Sequence, residues 1–275
     1  MTMDLGLPTA TVPPPDRRSE KLTAVRGGML GSVHSWELVT AVDGPGTRLT
    51  IFLAGCALRC LYCHNPDTWS IRHGRDTRLG DVLALIDRYA TIMRVTGGGV
   101  TLSGGEPLLQ PAFVARIFRH CAEHGIHTAL DTSGSPGRWA SEALLADTSL
   151  ILLDVKSGLP EVYRETTKRE LQPTLDFGRR LARLDKAMWI RFVLVPGLTD
   201  GFDNVEAVAD YVASLQTLGS GGAVARVEVL PFHQLGRDKW HELGQAYTLE
   251  DTEPPSGELV ERVRAQFRAR GLTVH

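Results

Sequence analysis

Six short apolar segments, each ending at or followed by a glycine or a residue capable of chemistry, set the strongest limit on what this chain can fold into. They are RLTIFLA (48–54), GVTLSG (99–104), HTALDTSG (127–134), LILLDVK (150–156), MWIRFVLVPG (188–197) and RVEVLPF (226–232). Helical patterns run between them. Leu79, Val82, Leu83, Ile86 and Tyr89 share one face, and Phe113, Val114, Ile117, Phe118 and Cys121 share another. Val205, Val208, Val212 and Leu215 make a third. Strands alternating with amphipathic helices are βαβ units, so the fold class is α/β with a parallel sheet. Six units suit an open or partial barrel better than full eightfold closure. In such sheets functional groups gather at the C-terminal ends of the strands, where GC, SGGE, DTSG, DVK, VPG and PFH all fall. That coincidence points to an enzyme.

The chain's 275 residues, 43% of them hydrophobic, suffice for one large domain or two small ones. A formal charge of -2 with mixed signs gives no case for a nucleic-acid or membrane surface. No apolar run approaches the roughly 18 residues of a spanning helix, and there is no signal-peptide core, so a cytoplasmic protein is expected. Residues 1–28, with TATVPPPDRRSEK, are rich in Pro and charge and lack an apolar period; they read as a flexible tail before a single domain at 29–275. Met29 is an alternative start.

Three of the four cysteines lie within GCALRCLYCHN, as Cys56, Cys60 and Cys63, in the loop after the first apolar strand. Four cysteines in a chain this long do not make a disulfide scaffold; clustered in a reducing compartment, they suit metal binding or chemistry. A structural zinc site needs four protein ligands, which His64 or His73 would have to complete. The alternative is an iron–sulfur cluster with one iron left for an external ligand. Cys121, on an apolar helix face, reads as a core residue. TGGGV (96–100) lacks the lysine and helix of a phosphate loop.

The spacing C-x3-C-x2-C after a first strand, with the aromatic Tyr62 before the last cysteine, resembles the radical S-adenosylmethionine enzymes. TLSGGEPLL resembles the motif of that family that holds the methionine ammonium. Further stretches resemble one branch, the activases of glycyl radical enzymes: GSVHSWE, VDGPGTRLTIFLAGC, CLYCHNPDTW, GIHTALDTSG, LLDVK, WIRFVLVPG and LPFHQLGRDKW. The YCHNPDTW and HQLG..KW blocks are the most specific. The resemblance covers everything from about Gly31 onward. The absence of further cysteines for an inserted cluster domain favours the type that acts on pyruvate formate-lyase.

The resemblance implies a partial (β/α)6 barrel and one [4Fe–4S] cluster on Cys56, Cys60 and Cys63, its fourth iron chelated by S-adenosylmethionine. An electron from flavodoxin or ferredoxin cleaves the sulfonium, and the resulting 5′-deoxyadenosyl radical takes hydrogen from a glycine of the partner. That partner is pyruvate formate-lyase or, as the alternative, another glycyl radical enzyme of anaerobic metabolism. By position, Tyr62, Gly104, Gly105 and Glu106 contact the cofactor, with Ser103 beside them and Glu106 receiving the ammonium. Asp131, Thr132 and Asp154 hold a monovalent cation (potassium or sodium) beside the carboxylate; their bland alternatives are a turn and a helix cap. Lys156 and His233 reach the adenosyl part, Arg191 the cofactor or partner, and Asp43 lines the site near the incoming glycine. A monomer is expected. Departures are mild: Pro107 after the glutamate, SPG after DTSG, a short loop after Asp131, and Phe232 where tyrosine is usual.

Overall fold

The six apolar segments become six adjacent parallel strands. The computed structural model describes residues 17–40 and 43–275. Its elements run α1 (Arg17–Arg26), β1 (Leu30–Thr40), β2 (Thr47–Leu53), β3 (Arg75–Arg78), α2 (Leu79–Val95), β4 (Gly99–Gly104), α3 (Pro111–Glu123), β5 (His127–Thr132), α4 (Glu142–Ala146), β6 (Leu150–Asp154), α5 (Pro160–Thr167), α6 (Gln172–Arg183), β7 (Met188–Leu194), α7 (Phe202–Leu215), β8 (Val224–Pro231), α8 (Arg237–Glu242) and α9 (Gly257–Arg268). The sheet order is β3-β1-β2-β4-β5-β6-β7-β8, parallel from β2 to β8. The sheet does not close. The outer edge of β8 is taken instead by the chain end, where Val227 and Val229 exchange backbone hydrogen bonds with Thr273 and His275. The fold is therefore an open, six-stranded partial barrel extended by an antiparallel pair.

The helical faces pack as their spacing requires. Phe113, Val114, Ile117, Phe118 and Cys121 of α3 are all fully buried, each apolar side chain contributing about 1.5–3 kcal/mol. Strand β7 divides the two environments by its alternation. Met188, Ile190, Phe192 and Leu194 join the helix-covered core, whereas Trp189 packs with Ala129, Leu150 and Leu152 on the opposite face. Arg191 and Val193 share that inner face, which leads upward into the site.

Two strands carry no clear signal in the sequence. β1 alternates, with Val33 buried and Trp36 and Leu38 exposed, and pairs antiparallel with β2. β3 is the polar RDTR, a short edge strand whose charges suit an edge and hide it from an apolar reading. Part of the segment expected to be a tail is helical. α1 leaves Leu22 and Val25 exposed, so no apolar period marks it. It is held instead by an ion pair from Lys21 to Asp76, by Met29 N–H donating to the Ala24 carbonyl (2.8 Å), and by Arg116 reaching the Gly27 carbonyl (3.2 Å). The tail expected for residues 1–16 lies outside the described residues. No helix among the described residues is long and apolar enough to cross a membrane.

Candidate active site

Where β2 ends, Gly55 at φ +103° turns the chain, and two backbone hydrogen bonds tie the loop to its own return: Gly55 N–H to Thr68 (2.7 Å) and Cys56 N–H to Trp69 (3.0 Å). Arg59 and Leu61 N–H groups then donate to Thr167 and Thr166 at the end of α5, and Cys63 N–H donates to the Cys60 carbonyl (3.1 Å). The result brings all three cysteines to one wall of a cavity of about 530 Å³ at the C-terminal ends of the strands. Tyr62, Ser103, Gly104, Gly105, Asp131, Thr132, Asp154, Lys156, Arg191, His233 and Asp43 line the same cavity. Of the cofactor and site residues that the resemblance implies, only Glu106 is absent from this lining.

Burial pushes the thiols up, Cys56 and Cys60 to about 12 and Cys63 to about 11, so a thiolate here needs a positive partner. Among the described residues no set of three His, Cys, Asp or Glu is arranged around a single metal ion. Three thiols on one wall of a roomy cavity suit a multi-atom iron–sulfur cluster better than a four-ligand zinc site. Four buried polar atoms of this region have no hydrogen-bond partner: Tyr62 Oη, Asp131 Oδ1, Arg191 Nε and His233 Nδ1. Asp131 Oδ1 still lies 3.2 Å from an Arg191 nitrogen, but Tyr62 Oη, Arg191 Nε and His233 Nδ1 make no hydrogen bond, and buried polar atoms are normally satisfied, so these three in one cavity fit a polar ligand.

The charges beneath the thiols are interlocked. Asp131 accepts from Ser103 Oγ (2.6 Å) and lies 3.2 Å from an Arg191 nitrogen. Burial raises its carboxyl to about 6; Arg191 opposes this, while Asp154 and Asp43 add to it. Asp154 pairs with Lys156 at 2.6 Å. Burial alone would lower the Lys156 ammonium, but Asp154, Tyr62 and Cys60 outweigh it and hold it above its ordinary value. Arg191 is held up in the same way by Asp131, Asp154, Asp43 and Glu228, with Asp43 and Glu228 each 3.8 Å away. His64 stacks on His233 with centroids 4.2 Å apart, and burial lowers it to about 4, so it is neutral.

Glu106 corrects the sequence reading. It is 1% exposed, and four groups of the protein donate to it: Leu108 N–H (3.2 Å) and Thr132 Oγ1 (2.7 Å) to one oxygen, Ser133 N–H (2.9 Å) and Ser133 Oγ (2.6 Å) to the other. No oxygen is left for an ammonium. Burial still raises its pKa, the four donors working against that. Glu106 braces the DTSG turn against the SGGE turn, and Thr132 spends its hydroxyl hydrogen on that brace. The neighbouring glycines are there for contact: a Cβ on Gly104 (φ +112°) would lie 2.4 Å from Leu53 N, and one on Gly105 would lie 2.3 Å from the Gly55 carbonyl oxygen.

Sequence reasoning assigned no role to Ser133 or to Arg48. Arg48, fully buried, donates to Val100 O (2.6 Å), Thr101 Oγ1 (2.9 Å) and Pro45 O (3.3 Å) and meets His127 Nδ1 at 3.1 Å. Thr101 Oγ1 in turn donates to the Asp43 carbonyl (2.7 Å), so Arg48 supports the loop that carries Asp43. The arginine within DGPGTR was the available signal.

The radical SAM superfamily model matches residues 50–212. A pyruvate formate-lyase 1-activating enzyme of Escherichia coli (strain K12) is 39% identical over 248 residues, spanning 90% of this chain and 98% of that protein. A pyruvate formate-lyase-activating enzyme of Staphylococcus aureus (strain USA300) is 42% identical over 248 residues, 88% of this chain and 96% of its own length. Among solved structures, a domain of a pyruvate-formate lyase-activating enzyme from Bacteroides vulgatus ATCC 8482 superposes with a TM-score of 0.54 at 27% identity, covering 65% of this chain and 98% of that domain. With three thiols on one wall and the interlocked charges below them, these likenesses agree: the chain belongs to the radical SAM superfamily and, within it, to the pyruvate formate-lyase activating enzymes.

Proposed function

We propose that this enzyme uses a [4Fe–4S] cluster and S-adenosylmethionine to generate a glycyl radical on pyruvate formate-lyase. The observation that carries the reading is the single cavity shared by three thiols and three buried polar atoms without a hydrogen bond, Tyr62 Oη, Arg191 Nε and His233 Nδ1. The names of the relatives supply the partner. When bound, cluster and cofactor supply one-electron reductive chemistry that ends with a hydrogen atom leaving a glycine α-carbon of the partner.

The chain's own residues do the rest. Cys56, Cys60 and Cys63 hold the cluster as thiolates. Ser103, Gly104 and Gly105 offer backbone close to the amino-acid end of the cofactor, with Asp131 and Asp154 as the acidic side chains there. A monovalent cation between those two carboxylates, with Thr132 beside it, would lessen their repulsion of the cofactor's carboxylate. Lys156, His233 and the ring of Tyr62 take the adenosyl end. Arg191 and Asp43 meet the incoming glycine segment. Leu58, Val193 and Leu230 make part of the cavity lining apolar and limit water. The electron comes from flavodoxin or ferredoxin, and the enzyme works as a cytoplasmic monomer.

Anaerobic reconstitution tests this. Roughly four irons per chain are expected, with 5′-deoxyadenosine formed under reduction and a glycyl radical signal on mixing with pyruvate formate-lyase. A colourless chain holding one zinc overturns the reading. A radical signal on a different glycyl radical enzyme alone reassigns the partner.

A further inference from the structure

After β8 the chain folds back over the cysteine loop and is tied to it at four places. Gly236 packs so closely that a Cβ there would lie 2.7 Å from His64 Cα and 2.8 Å from the Cys63 carbonyl oxygen. Trp240, 6% exposed, donates its indole N–H to that same carbonyl (2.9 Å). Lys239 donates to Asn65 Oδ1 (2.8 Å) and pairs with Asp67 (3.3 Å). His64 Nε2–H donates to the His233 carbonyl (3.3 Å) beneath the stacked rings. The clasp is itself stiff. Gln234 donates to the carbonyls of Leu249, Glu250 and Thr252, and Trp240 packs edge-on to Trp69 (4.9 Å) and against Tyr247 (5.4 Å).

We propose that Trp240 is a positioning residue for the third thiol: its N–H fixes the Cys63 carbonyl, and its ring fixes the segment that presents His233. Cys63 is otherwise held by the turn to Cys60 and, at its sulfur, by hydrogen bonds from the Asn65 backbone N–H and the Trp69 side chain, and Trp69 itself packs against Trp240. Removing the indole N–H leaves the Cys63 carbonyl, packed against Gly236 and the Trp240 ring, without that donor, so the backbone that carries the thiol is held less firmly. Partners that orient a metal ligand in this way change metal retention without touching the metal. The inference rests on the proposed function for one of its two readouts.

The test uses the full chain as Trp240→Phe, which keeps an aromatic ring, smaller than the indole, and loses the donor. In the reconstituted protein, iron loss to a chelator is expected to run roughly tenfold faster than in the wild type. In the same chain stripped of iron, alkylation of Cys63, located by fragment-ion mass spectrometry, is expected to rise severalfold while Cys56 stays at its wild-type rate. An equal rise at Cys56, Cys60 and Cys63 means general loosening and overturns the assignment, as does no change. If Trp240→Phe does not fold, Lys239→Met decides: it breaks the tie to Asn65 and Asp67, and an unchanged Cys63 rate there overturns the clasp. A wild-type chain that takes up no iron defeats the proposed function, while the alkylation readout still decides the clasp.

Discussion

Replacing Glu106 by glutamine separates a brace from a binding residue. The carboxylate accepts four hydrogen bonds and faces no open space. A glutamine keeps one oxygen, and its amide nitrogen must face either the Ser133 pair or the Leu108–Thr132 pair. The second choice costs less. Thr132 can turn its hydroxyl to accept, since it already accepts from Gly134 N–H (3.0 Å), and the Leu108 contact is the longest of the four at 3.2 Å. One backbone N–H then loses its acceptor, at about 1–3 kcal/mol, and the two Ser133 bonds weaken from charged to neutral. Against this, burial raises the pKa of Glu106, so a neutral side chain recovers part of the desolvation cost. The net expectation is a loss of about 2 kcal/mol. Glu106→Ala leaves all four donors facing a void and should cost about 4 kcal/mol.

Guanidinium unfolding of the cluster-free chain measures both, with the midpoint falling from wild type to Gln to Ala. Affinity for S-adenosylmethionine in the reconstituted protein should fall only as far as the turn loosens. If Glu106→Gln unfolds at the wild-type midpoint yet binds cofactor more than tenfold more weakly, the carboxylate contacts the ligand after all and the brace is refuted.

Asp131, raised to about 6 in the folded protein from 3.8, contributes stability that is present below pH 3.8 and lost as the pH rises through about 6. Relative to Asp131→Asn, the wild type should therefore gain melting temperature between pH 7 and pH 5; a constant gap contradicts the shift. Cys56→Ala, Cys60→Ala and Cys63→Ala should each lose the cluster, whereas Cys121→Ala, in the core at 0% exposure, should keep its iron and lose about 1–2 kcal/mol to a small cavity; iron content and unfolding read the two effects separately. Arg48→Lys cannot reach four acceptors with one ammonium and should cost about 2–4 kcal/mol, seen as a lower melting temperature.

What the sequence revealed follows from which environments leave a pattern in it. Parallel strands covered on both faces read as apolar runs, so β2 and β4 to β8 were visible together with the motifs at their ends. A polar edge strand such as β3 leaves no such trace, and neither does α1, whose contacts are an ion pair and backbone bonds rather than an apolar face. Site residues were legible as a set because their elements all deliver them to one end of the sheet. The direction of a single side chain was not. Glu106 follows two glycines whose backbone is pressed against Leu53 and Gly55, and Glu106 N–H itself donates to the Gly55 carbonyl (2.8 Å). That contact, set by residues some fifty positions earlier, turns the carboxylate under the loop rather than into the cavity.

The two blocks that were most specific in the sequence, YCHNPDTW and HQLG..KW, are one structural unit. His64 meets His233, Cys63 meets Gly236 and Trp240, and Asn65 and Asp67 meet Lys239. Each contact constrains both partners, so neither block can change alone without leaving a buried carbonyl or a lysine unpaired. Such mutual constraint accounts for their specificity without requiring every residue in them to touch a ligand. The same reasoning applies to the charges. Asp131 lies against Arg191 and Asp154 against Lys156. For a zwitterionic ligand these pairs offer both signs of charge. Specificity for it then comes from how well its ammonium and carboxylate match the spacing of those pairs, which β5, β6 and β7 fix through their register.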